Sequence, residues 1–153
     1  MSREALGTYL NDHLSGSVVA VETLERLVNA DHPTLPPETL RSLLTEIQED
    51  QQLLQTLLKR LDVGEHHVKK AAAWLTEKVG RIKLDDGPLG TMEMLEALAL
   101  GITGKLKLWL TLERVAPRHP ELGELDYARL QGRAREQHEL VEGLRLKEAL
   151  LAL

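Results

Sequence analysis

Cysteine and phenylalanine are both absent from this chain of 153 residues, and aromatic side chains of every kind make up only 3% of it. Without cysteine there is no disulfide, no thiolate chemistry and no Cys-type zinc site, a composition that suits a reducing compartment. Without phenylalanine the core has to be built from 33 leucines, helped by valine and alanine. Positive charge is also in short supply. The 19 Lys and Arg against 24 Asp and Glu leave a net charge of −5 and argue against a nucleic-acid partner, which needs clustered cations. No apolar run approaches the ~18 residues of a membrane span, and Met1-Ser2-Arg3-Glu4 opens without the apolar stretch of a signal peptide. A cytoplasmic protein with no membrane partner is expected. No phosphate loop, nucleophile elbow or Ser/His/Asp set occurs, so the sequence points to no catalytic residues, no cofactor and no enzyme activity.

What remains is helix, repeatedly punctuated. Leu10, Leu14, Val18, Val21, Leu24 and Val28 recur at three- and four-residue spacing and predict a first helix over 3–29. The prolines at 33, 36 and 37 break it, since proline lacks the amide proton and clashes with the preceding turn. A second helix is predicted over 37–62 on a leucine stripe. A shorter one covers 65–83 and carries Trp74. A third long helix occupies 89–116, ending at Pro117 and Pro120, and the last runs from 122 to the C-terminus. The first and last loops are short enough to force antiparallel neighbours, whereas residues 62–88 can cross the length of a bundle. A single all-α domain over 1–153 follows: a helical hairpin at 3–62, a crossover at 63–88 and a second hairpin at 89–153.

The two hairpins resemble each other. Gly16-Ser17-Val18 through Leu24-Glu25-Arg26-Leu27 recurs 88 positions later as Gly104-Lys105-Leu106 through Leu112-Glu113-Arg114-Val115. Glu49-Asp50-Gln51-Gln52-Leu53-Leu54 returns 87 positions later as Glu136-Gln137-His138-Glu139-Leu140-Val141. Winding the helices at ~100° per residue places polar side chains on faces that should be dry. These are Ser17 on the first helix, Asp50 and Gln51 on the second, Lys105 on the third and Gln137 on the fourth. All fall near mid-bundle. A buried charge needs a partner, so Lys105 and Asp50 are the natural ion pair, with Ser17, Gln51 and Gln137 as hydrogen-bonding neighbours. Such a layer can simply fix helix register, as a buried Asn does in coiled coils, or it can serve as a ligand site.

The stretch Leu10-Asn11-Asp12-His13-Leu14-Ser15-Gly16-Ser17 resembles the L-N-x-x-L-x-x-E pattern in the first helix of ferritins and bacterioferritins. With the four long helices, the crossover and the repeat, the chain resembles the ferritin-like superfamily: a four-helix bundle whose long crossover here contains an extra short helix. Members with a di-metal centre use a Glu on the first and third helices and a Glu-x-x-His on the second and fourth. Transferred onto this sequence, the first Glu falls on Ser17 and its equivalent on Lys105, or one turn away on Gly101. The second-helix pair falls on Ile47 and Asp50, the fourth-helix pair on Ala134 and Gln137. The chain contains no Glu-x-x-His. The resemblance therefore implies a degenerate member without metal ligands, its layer converted to internal ion pairing.

Other polar residues are weaker candidates. His13 lies on the core side one turn before Ser17 and can join the layer. Glu25 and Glu113, equivalent in the repeat, are expected to lean inward near the bundle ends and pair with bases such as Arg145. His138 and Glu142 stand one turn apart, as a flank hydrogen bond requires. His66 and His67 point ~100° apart and do not chelate together. Three functions fit: a non-catalytic structural or interaction bundle, as a homodimer or with a protein partner through a helix face; a metal-binding or oxidoreductase protein with an atypical site; or a small-ligand binder with the polar layer as the floor of an apolar pocket. The first is the expected function.

Overall fold

The structure, a computed structural model, describes residues 2–63 and 87–153, together with residues 73, 76, 77, 80 and 81 of the connection. It is all-α among those residues. Four long helices are α1 (Ser2–Asn29), α2 (Pro37–Arg60), α3 (Pro88–Val115) and α4 (Tyr127–Ala152). They pack pairwise, α1 on α2, α3 on α4 and α1 on α3, with the α3–α4 interface the most extensive.

Helix ends follow local chemistry. Proline opens both α2 and α3 at the first helical position, where a missing amide proton costs nothing. Helix α4 starts at Tyr127, five residues later than the pattern suggested. Pro117 and Pro120 break the path into two single 3-10 turns, Ala116–Arg118 and Pro120–Leu122, and Gly123 takes a φ of +59°. Asp126 then caps α4 by accepting the Arg129 amide at 3.1 Å. Gly7 marks the tightest approach: a Cβ there would sit 2.9 Å from a Val63 methyl, so α1 seats against the end of α2 only because that Cβ is missing.

Side-chain contacts give the helix directions. Tyr9 of early α1 donates to Thr111 of late α3 at 3.2 Å, while Leu24 of late α1 shares a cluster with Leu95 of early α3. Those two helices are therefore antiparallel. Glu46 and Asp50 of α2 meet Gln137 and Arg133 of α4, so these also run antiparallel. In chain order the helices run up, down, down and up, and α2 ends at the opposite end of the bundle from where α3 begins. Of the connection, residues 73, 76, 77 and 80 are helical, and Thr76 donates to Glu22 of α1 at 2.8 Å. Most of the helix expected at 65–83, with Trp74, His66 and His67, lies outside the described residues.

Two leucine-rich clusters fill the interior. One gathers Leu10, Leu14, Leu57, Leu58 and Leu112 around a fully buried Trp109. The other holds Leu24, Leu27, Leu43, Leu95 and Leu98. Each such side chain contributes about 1.5–3 kcal/mol by leaving water. No described helix is long and apolar enough to cross a membrane.

Candidate functional site

Between the two apolar clusters the bundle turns polar, because each helix places a hydrophilic residue on its inner stripe at that height. Asp50 of α2 is the centre, with only 4% of its side chain exposed. Lys105 Nζ of α3 donates to its Oδ2 at 2.6 Å, and Arg133 Nη2 of α4 to its Oδ1 at 2.5 Å. Lys105 also donates to Gln137 Oε1. Gln137 passes its amide on to Glu46 at 2.8 Å, and Arg133 reaches Glu49 at 2.7 Å. Ser17 and Gln51 form a separate pair: Gln51 donates to Ser17 Oγ at 3.1 Å, and that hydroxyl donates to the Leu14 carbonyl at 2.6 Å.

The electrostatics follow from burial. Desolvation lowers the Lys105 pKa, with the Asp50 carboxylate opposing that shift. For Arg133 burial also pulls downward, but hydrogen bonds and charge from Asp50 and Glu49 together outweigh it and raise the pKa. One carboxylate thus holds two cations, and each cation has a second acceptor. The layer is charge-satisfied rather than a bare ion pair.

Arg133, Glu46 and Glu49 are the residues that sequence reasoning missed. A signal for two of them was present. The 87-residue offset that equates Asp50 with Gln137 also equates Glu46 with Arg133, each one helical turn before its partner.

Beside this layer a cleft of about 310 Å³ opens between α1, α2 and α3. Its walls are Ala20, Ile47, Leu54, Ile102 and Leu108. Ser17, Asp50, Gln51 and Lys105 also line it, and Asp12 and Gly101 reach solvent at its rim. Gly16, Gly101 and Gly104 border the same space, and a Cβ built on any of them would meet nothing within 4 Å among the described residues. His13 lines the cleft half-buried, edge-on to Tyr9 with ring centres 4.6 Å apart, and desolvation lowers its pKa against the pull of Asp12.

The peripheral candidates lie elsewhere. Glu25 and Glu113 are exposed residues, because their stripe falls on the helix flank, but the Glu113 carboxylate turns toward α4. Glu113 accepts from Gln131 at 2.7 Å. Arg145 binds Glu142 on its own helix, so neither Glu25 nor Glu113 receives it; His138 acts on Glu142 by charge alone, and Glu142 takes its hydrogen bonds from Arg145. That contact lowers the Glu142 pKa. The positions where the ferritin resemblance expects ligands hold Ser17, Ile47, Asp50, Lys105, Ala134 and Gln137. Among the described residues no three His, Cys, Asp or Glu side chains converge as metal ligands.

Comparison of the chain with protein-family models, with curated proteins and with solved structures finds no match.

Proposed function

We propose that this chain is a non-catalytic bundle of ferritin-like plan that binds a small, uncharged, mainly apolar molecule in the cleft between α1, α2 and α3. The cleft itself carries the reading. A glycine inside a helix costs about 1 kcal/mol relative to alanine, yet three converge on a space where alanine would meet no atom of the described residues. Close helix packing does not require them there; what they leave is room. At about 310 Å³ the space falls at the small end of ligand sites, which span roughly 300–1,000 Å³.

The lining selects the ligand. Aliphatic walls favour an apolar body. Lys105 spends two of its three N–H groups on Asp50 and Gln137, leaving one without a partner among the described residues. A carbonyl or hydroxyl oxygen on the ligand suits that donor. An anion would face Asp50 and Asp12, and a cation would compete with Lys105 and Arg133 for Asp50. The ferritin-like plan is supported by the up-down-down-up helix order and by the repeat. Ser17 and Lys105 occupy equivalent places on opposed helices, as do Asp50 and Gln137.

Titration with the neutral fluorophore N-phenyl-1-naphthylamine tests the site. A saturable rise in emission is expected for the native chain and its loss in Gly104→Leu, with helical content by circular dichroism unchanged. Equal emission from both proteins, or none from the native chain, contradicts the reading.

A further inference from the structure

The outward face of α3 is packed against no other described helix, although Glu96 at its edge is drawn by charge to Arg145 of α4, and its composition follows a rule. Leu89, Glu93, Glu96, Leu100, Thr103, Lys107, Leu110 and Arg114 succeed one another at alternating steps of four and three residues. That spacing is the seam of a helix pair. All but Thr103 are exposed, Leu100 by 69%, Leu89 by 41% and Leu110 by 36%. Glu93, Lys107 and Arg114 form no ion pair among the described residues.

Charge along this seam is divided. Both acids lie in the N-terminal half and both bases in the C-terminal half. Laid parallel on a copy of itself, the stripe sets Glu on Glu and Lys on Lys. Laid antiparallel about a two-fold axis between residues 101 and 102, every seam position meets another seam position. Leu100 faces Thr103, Glu96 faces Lys107, Glu93 faces Leu110 and Leu89 faces Arg114, each twice. Glu93 then lies one turn from the copy's Arg114. Opposite charges flank an apolar centre, an isologous arrangement that closes as a dimer.

We propose that α3 docks antiparallel on α3 of a second copy of this chain through this seam. Pairing through this seam does not require a ligand in the cleft. Leu146, Leu150 and Leu153 form another exposed apolar stripe at the end of α4, but it carries no comparable charge pattern and serves as the control surface.

Sedimentation velocity of the full chain over a concentration series tests the proposal. A reversible monomer–dimer equilibrium is expected. Glu96→Lys alone and Lys107→Glu alone each set like charges face to face across the axis and weaken the dimer by about tenfold or more. The double variant Glu96→Lys with Lys107→Glu restores opposite charges and brings the dissociation constant back toward that of the native chain. Leu150→Lys leaves it unchanged. Both swapped residues are exposed, so circular dichroism stays native throughout. A monomer at every concentration, a double variant no tighter than the single ones, or a dimer dissolved by Leu150→Lys overturns the proposal.

Discussion

Asp50 and Lys105 touch each other, but the structure makes their removal unequal. Replacing Asp50 with Leu leaves two cations, Lys105 and Arg133, aimed at one vacated point in a layer where their side chains are 13% and 14% exposed. Removing one partner from a buried ion pair costs about 3–5 kcal/mol. Asp50→Leu belongs in that range, since Lys105 keeps only Gln137 and Arg133 keeps Glu49. Lys105→Met is milder. Asp50 loses one charge-assisted hydrogen bond, worth about 1.5–3 kcal/mol, but retains Arg133 at 2.5 Å. The methionine also removes a desolvated ammonium and fills the same space. A net cost of about 1–2 kcal/mol follows. The double variant should cost less than the sum of the two, because residues in direct contact do not act additively. Urea unfolding of the four proteins, compared by midpoint at constant slope, measures each term. If Lys105→Met proves as damaging as Asp50→Leu, Arg133 does not share the carboxylate. If both cost under about 1 kcal/mol, the layer is solvated like a surface pair.

Gly16→Ala and Gly104→Ala should each stabilise the fold by about 0.5–1 kcal/mol, since a helical glycine is relieved and the added methyl meets open space; urea midpoints check it. His13 has a folded pKa below its ordinary 6.5, so the unfolded chain binds the proton more readily. Its contribution is fully present above about pH 6.5 and is lost as pH falls through the folded value; thermal melts across this window should show a loss that His13→Gln abolishes. Glu148 is fully buried and its Oε1 accepts from Thr34 in the α1–α2 loop, while Oε2 has no partner among the described residues. Thr34→Val should therefore cost about 1–3 kcal/mol in urea unfolding.

The helices were legible because leucine periodicity and proline placement act locally, and the five residues of the polar layer stood out by interrupting that periodicity. Arg133 did not. It sits beside Ala134 on the flank of the apolar stripe, and a long side chain can enter a layer from a position that helical winding assigns to the surface. Glu25 illustrates the reverse: its angle on the wheel is intermediate, and solvation of a carboxylate decides such a case outward, whereas Glu113 at the equivalent angle reaches Gln131 of α4. The cleft was hidden for a different reason. A gap depends on three helices failing to touch at one height, which no residue encodes alone, although Gly16 and Gly104 recurring as repeat equivalents marked its edges. The start of α4 was misplaced because two prolines and Gly123 favour successive tight turns over an immediate helix.

The claim that the cleft is a ligand site is tested most directly by amide NMR of the uniformly labelled native chain during titration with N-phenyl-1-naphthylamine. Glycine amides resolve well, and Gly16, Gly101 and Gly104 border the cleft whereas Gly132 and Gly143 do not. Saturable shifts at Gly16, Gly101 and Gly104, with Gly132 and Gly143 unmoved, are the predicted result. Shifts centred on the leucines at the end of α4, or no saturable shift at the three cleft glycines, contradict it.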